Sequence, residues 1–60
     1  MREEWTHQPM PADPKFHEII RTVRWPDANT SSWQKVAEGF TPELAATICE
    51  TANLYANRRA

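Results

Sequence analysis

Apolar residues recur at helical spacing just after the N-terminal prolines. The residues at positions i, i+3, i+4 and i+7 of this segment are Phe16, Ile19, Ile20 and Val23. This spacing places them on one face of an α-helix. Asp13 can cap the first turn, and Pro14 fits the first helical position, where a missing N–H costs nothing. The pattern therefore predicts a first helix over residues 14–24.

The same segment has an alternative interpretation as a β-strand. A strand over EIIRTVRW would place on one face Ile19, Arg21, Val23 and Trp25. That face would contain a charge, whereas the helical pattern fits without exception, so we expect the helix. Pro26 ends the element, because a residue that precedes proline avoids the α region.

A second short helix is predicted over residues 32–39. Ser31 and Gln34 have the spacing of a capping box, in which hydroxyl and amide each satisfy a free N–H. The apolar positions that follow at helical spacing are Trp33, Val36, Ala37 and Phe40. Gly39 suits the left-handed residue that commonly ends a helix. We expect Trp33 to lie in the core.

The third helix has the strongest local signals and is predicted over residues 42–58. Thr41 can cap it, Pro42 fits its first position, and Glu43 complements the helix dipole. Large side chains form one ridge, comprising Leu44, Ile48 and Tyr55. Small side chains form a neighbouring row, comprising Ala45, Cys49, Ala52 and Ala56. Such a row lets another helix approach closely.

These elements together predict an all-α fold in two parts. Residues 1–13 contain prolines that favour extended backbone and show no periodicity, so we expect an extended N-terminal arm carrying Trp5 and Met10. Residues 14–60 would form a small three-helix domain.

Chain length limits what this domain can do alone. A chain of 60 residues buries only about 60% of the surface that its unfolded form exposes, so its own stability is marginal. Cys49 is the single cysteine, which excludes a disulfide within the chain and suits a reducing compartment. Self-association or a larger partner is then the expected source of further stability.

Charge and hydropathy give little indication of a membrane or polyanion partner. The net charge is −1, and no run of about 18 apolar residues occurs. The N-terminus lacks the apolar stretch of a secretory signal. We therefore expect a cytoplasmic location.

The sequence contains no recognisable set of catalytic, cofactor-binding or metal-binding residues. The histidines are His7 in the arm and His17 at the edge of the first predicted helix, and neither has the supporting groups that a catalytic base needs. Two histidines and a distant Cys49 fall short of the four ligands typical of zinc. We expect no enzyme activity, no cofactor and no metal.

The favoured hypothesis is a small protein-interaction module, such as an adaptor or inhibitor, that docks on a larger protein or forms a homo-oligomer. Three tryptophans in 60 residues exceed what so small a core requires. The expected partner-binding residues are Trp5, Met10, Trp25 and Leu54. For Trp25, next to Pro26, the alternative is a lid packed on the core.

The alternative hypothesis is a dimeric DNA-binding regulator. EGFT, between the second and third predicted helices, resembles the turn of a helix-turn-helix. RWP at 24–26 and KVAEG at 35–39 resemble parts of ribbon-helix-helix repressors, a resemblance that requires the strand interpretation of the first segment. Under this alternative, phosphate contacts would come from Arg21, Arg24, Arg58 and Arg59.

Overall fold

The computed structural model describes residues 2–27 and 30–58 and shows a three-stranded antiparallel sheet followed by one helix. The elements are β1 (Arg2–Pro9), β2 (His17–Trp25), β3 (Thr30–Phe40) and α1 (Pro42–Arg58). The strands lie in the order β1-β2-β3, so β2 is central. The prediction of an all-α three-helix domain is wrong. Residues predicted as the first two helices lie mostly in β2 and β3, and within the described residues the third predicted helix is the only one present.

β2 forms a strand because its composition and its neighbours both favour extended backbone. Ile19, Ile20, Thr22 and Val23 are β-branched, and such side chains pack well on a pleated surface. The charge that argued against a strand, Arg21, is neutralised by β1. Its Nη2 lies 3.1 Å from Oε2 of Glu3.

The N-terminal segment, expected as an extended arm, supplies the strand β1. Thr6 lies opposite Ile20, and Trp5 lies opposite Arg21. Asp13 and Pro14, expected to begin a helix, instead form a tight turn between β1 and β2. The N–H of Phe16 donates to the carbonyl of Asp13 over 3.1 Å, and the N–H of Lys15 donates to the Asp13 carboxylate. Asp followed by Pro is typical of such a turn.

β3 replaces the second predicted helix. Ser31 and Gln34 lie opposite Arg24 and Arg21 in the ladder, so the expected capping box does not form. The pairing of β3 with β2 skips Val36 and Gly39, which marks two bulges. Gly39 adopts a left-handed φ of 88°, which explains a glycine there although its element was predicted incorrectly.

α1 begins where the sequence predicts, and its described part covers the predicted range. The N–H of Leu44 donates to the Thr41 hydroxyl over 3.3 Å, and the N–H of Ala45 donates to the Thr41 carbonyl over 2.9 Å. Glu43 lies in the first turn and Arg58 in the last. No helix in residues 2–27 and 30–58 is both long and apolar enough to cross a membrane.

The core lies between α1 and the β1–β2 part of the sheet. Ile19 packs against Ala45 and Cys49, and all three are buried. The row of small residues on α1 thus receives the sheet, where the sequence suggested another helix. Trp5, Ala37, Phe40 and Ile48 surround this centre and are partly buried.

The molecule is flat and extended for its mass. Its principal extents are 38 × 22 × 11 Å and its radius of gyration is 12.4 Å, against roughly 10 Å for a compact domain of 60 residues. The accessible surface is 4659 Å², about 600 Å² above the value expected for a folded monomer of 7.0 kDa. A single helix therefore leaves much of the sheet uncovered.

Candidate functional site

The outer edge of β1 is closed by the helix. The side-chain amide of Asn53 accepts a hydrogen bond from the N–H of Trp5 over 2.8 Å and donates one to the Trp5 carbonyl over 2.9 Å. The amide thus binds Trp5 as a neighbouring strand would. Pro9, farther along the same edge, has no N–H to offer. Both features oppose the addition of another strand to β1.

The alternation of an antiparallel ladder identifies the backbone groups at the opposite edge. Asn53 binds the N–H and C=O of Trp5, so these two backbone groups point away from β2. Arg21 lies opposite Trp5, and its N–H and C=O therefore point toward β3. There they pair with the backbone of Gln34. The residues of β3 that therefore direct N–H and C=O groups outward are Ser31, Trp33 and Lys35. None of these outward groups has a hydrogen-bond partner within residues 2–27 and 30–58.

The edge segment, defined here as residues 30–35 of β3, is regular and weakly protected. Its pairing with β2 runs without interruption from Thr30 to Lys35, and both bulges lie beyond it. It contains no proline, and its only charge is Lys35, which pairs with Glu38 over 3.1 Å. Proline, charged side chains, especially lysine, and bulges are the devices that normally discourage edge pairing, and within the edge segment only Lys35 is of this kind. The edge segment is accordingly open to another strand.

Trp33 is the most exposed large apolar side chain among the described residues, with 71% of its surface accessible. It lies opposite Thr22, on the face of the sheet away from α1, which we call the open face. The prediction that Trp33 lies in the core is therefore wrong. Strand geometry projects its ring to the face that α1 does not cover.

A shallow apolar groove runs along one side of α1. It has a volume of about 490 Å³, and its lining residues include Trp5, Ile48, Ala52 and Tyr55. The ridge predicted on the third helix thus lies beside the core, with Leu44 and Tyr55 exposed. Trp5 is half-buried, and its indole N–H donates to Glu3 over 2.8 Å.

The two histidines meet across the β1–β2 ladder. Nδ1 of His7 lies 2.8 Å from Nδ1 of His17, with ring centroids 5.0 Å apart. One of these nitrogens donates the hydrogen bond and the other accepts it. No group of three or more His, Cys, Asp or Glu side chains within residues 2–27 and 30–58 is arranged to hold a metal ion.

Cys49 is buried against the sheet, and burial raises the pKa of its thiol. The neutral form is therefore favoured at neutral pH, which disfavours nucleophilic chemistry because the thiolate is the reactive species.

The structure separates the expected partner-binding residues. Met10 lies beyond the C-terminal end of β1, where its N–H donates to the carbonyl of Phe16 over 2.9 Å. Trp25 lies at the opposite end of the sheet, 41% exposed, beside Arg2 and Ser31. Leu54 is 63% exposed on α1. With Trp5 packed against the core, these four residues do not form one patch.

The arginines of the alternative hypothesis are also dispersed. Arg21 bonds Glu3, and this hydrogen bond raises the pKa of its guanidinium further above an already high value. Arg24 lies 3.7 Å from Glu4 on the open face. Arg58 is exposed at the end of α1, and Arg59 lies outside the described residues. Within these residues only one helix exists, whereas helix-turn-helix and ribbon-helix-helix motifs each need two.

Comparison with known proteins assigns no family, since no family model, curated protein or solved structure matches the chain significantly.

Sequence reasoning missed the residues that define the two sheet edges. Asn53 has no sequence signal that would indicate a role at the Trp5 backbone, 48 positions away. Ser31 and Lys35 are ordinary polar residues until the strand order makes β3 an edge. TSSWQK contains one apolar residue and no apolar–polar alternation, so no strand signal competed with the helical spacing that includes Trp33 and Phe40.

Proposed function

We propose that this chain is a small, non-enzymatic protein-interaction module that works in the cytoplasm. The proposal rests on where the apolar side chains lie, because large ones are exposed while small ones lie at the core centre. Trp33, Tyr55 and Leu54 are each more than 60% exposed, whereas two of the three residues at the core centre are Ala45 and Cys49. Large exposed apolar side chains on a small domain are typical of contact surfaces.

The large accessible surface of the chain supports the same proposal. An excess of about 600 Å² over a compact monomer approaches the roughly 800 Å² that each partner buries in a standard protein interface. The candidate cations Arg21 and Arg24 are already paired with carboxylates, and the net charge is −1. Both features favour a protein partner over nucleic acid, whose binding depends on free positive charge.

A tagged pull-down from host lysate, divided into nuclease-treated and untreated halves, tests this proposal. We expect a protein to be retained after nuclease treatment and lost or reduced in at least one of Trp33→Ala, Tyr55→Ala and Leu54→Ala. Glu50→Ala, which changes an exposed polar residue of α1 outside the groove, is the matched control. Capture of nucleic acid alone would contradict the proposal and favour the DNA-binding alternative.

A further inference from the structure

We propose that the open edge of β3 pairs with the same edge of a second copy of this chain, forming a continuous six-stranded sheet with Trp33 on the two-fold axis. This inference deepens the proposed function by naming the partner. It rests on the edge segment, where Ser31, Trp33 and Lys35 present unpaired backbone groups over a stretch free of bulges.

The outward groups of the edge segment are self-complementary in one antiparallel register. When Trp33 lies opposite Trp33 of the second copy, the two residues exchange both N–H···O=C bonds. Ser31 then lies opposite Lys35 of the second copy, and Lys35 opposite Ser31. All three outward positions are hydrogen-bonded in this arrangement, and the same patch is used on both subunits, as a two-fold interface requires.

The side chains in this register are compatible. The Trp33 rings of the two copies lie side by side on the open face, and cross-strand aromatic pairs stabilise antiparallel sheets. Lys35 faces a serine, so no like charges are brought together. Its ammonium also keeps its intrachain partner Glu38.

The rest of the fold leaves room for the second copy. α1 packs on β1 and β2, and its Asn53 amide closes the β1 edge. A second chain is therefore directed to β3. A two-fold axis perpendicular to the sheet keeps both helices on one face and both Trp33 rings on the other.

A second copy is the occupant that this geometry favours over an unrelated strand. A foreign strand would satisfy the backbone groups equally well, but nothing would fix its register. Self-pairing fixes the register, because only pairing centred on Trp33 uses all three outward residues of both chains. It would also cover part of the surface excess.

The mass of the full chain in solution, measured by light scattering from about 5 μM to 1 mM, tests the inference. We expect a dimer of about 14 kDa, twice the 7.0 kDa of one chain. Trp33→Lys and Trp33→Glu should each be monomeric, because like charges meet across the two-fold axis. An equimolar mixture of the two variants should regain the dimer. Ala46→Lys, an equal charge change at an exposed position of α1, is the control and should remain dimeric.

Ser31→Pro provides a second test if the Trp33 variants do not fold. Its lost N–H points outward, so the ladder with β2 and the circular-dichroism spectrum should be retained. Two intermolecular hydrogen bonds per dimer are removed, and the dissociation constant should rise at least about tenfold. A dimer that Ser31→Pro and the Trp33 variants leave intact while Leu54→Lys disrupts it would place the interface on α1 and overturn the inference.

The inference and the proposed function can fail separately. A wild-type chain that stays monomeric at 1 mM overturns β3 pairing, whether or not the pull-down retains a protein. A dimer with the expected variant pattern supports β3 pairing, even if the pull-down recovers no other protein.

Discussion

At the scale of single residues, Asn53 connects the C-terminal helix to the first strand. Its amide bonds both the N–H and the C=O of Trp5, so one side chain closes the strand edge at this residue and links α1 to β1. An amide is suited to this position because it carries a donor and an acceptor on one planar group. Few other side chains could satisfy both backbone groups at once.

We expect Asn53→Ala to lower the free energy of unfolding by about 1–3 kcal/mol, because the partly buried Trp5 backbone loses both partners. Asn57→Ala, one turn farther along α1 at an exposed position, is the control and should change stability by less than about 0.5 kcal/mol. Urea denaturation at neutral pH measures both. Equal stabilities for the two variants would show that the Trp5–Asn53 contact contributes nothing.

The buried Cys49 thiol should make the free energy of unfolding fall at alkaline pH. Burial raises the folded-state pKa of its thiol. The stability that the neutral thiol contributes is therefore fully present below the unfolded pKa of about 8.5, and it is lost as pH rises through the higher folded pKa. We expect wild-type protein to lose more stability than Cys49→Ala between pH 7.5 and 10. Urea titrations of both at several pH values measure the difference. Parallel pH profiles would contradict this expectation.

At the scale of elements, the close packing of α1 on the sheet depends on small side chains. Ala45 is fully buried against Ile19, and Cys49 lies one turn farther along. Because the sheet approaches the helix over these positions, there is no space for a larger group. The same helix places its large residues Leu44 and Tyr55 at the side of this contact, where they remain exposed.

Ala45→Leu should destabilise the fold by about 1–3 kcal/mol, because the added atoms force α1 away from β2. Ala46→Leu adds the same atoms at an exposed position of the same helix and should be nearly neutral. Thermal melts followed by circular dichroism compare the two. A neutral Ala45→Leu would mean that the helix–sheet contact is looser than the structure shows.

At the scale of the whole molecule, a sheet with one helix on one face has a small core and two unequal edges. The β1 edge is closed by Asn53 and Pro9, whereas the β3 edge offers hydrogen-bonding groups beside an exposed Trp33. A fold of this size gains stability most readily by association. Association between copies should therefore raise the stability of the folded chain.

Because association stabilises only the folded form, the melting temperature of the wild-type chain should rise as its concentration increases from about 5 to 500 μM. The melting temperature of Trp33→Lys should be independent of concentration and close to that of the dilute wild type. Calorimetry at several concentrations measures this. A wild-type melting temperature that does not change with concentration would contradict the linkage.

The sequence by itself determined those features that depend on neighbouring residues. Thr41, Pro42 and Glu43 specify the start of α1 locally, and the structure confirms the helix over Pro42–Arg58. The left-handed backbone at Gly39 was also foreseeable, because glycine is the residue that adopts it without strain.

Tertiary structure decided the rest. Ile19 and Val23 fit both a helical and a strand pattern, and the sequence showed only that Arg21 would interrupt a strand face. Glu3, 18 positions away, neutralises Arg21 once the strands pair, and this contact has no local sequence signal. The strand order likewise makes β3 an edge and leaves Trp33 exposed. Capping and helix initiation act over a few residues, whereas strand pairing joins distant segments, so only the folded chain reveals its candidate interface.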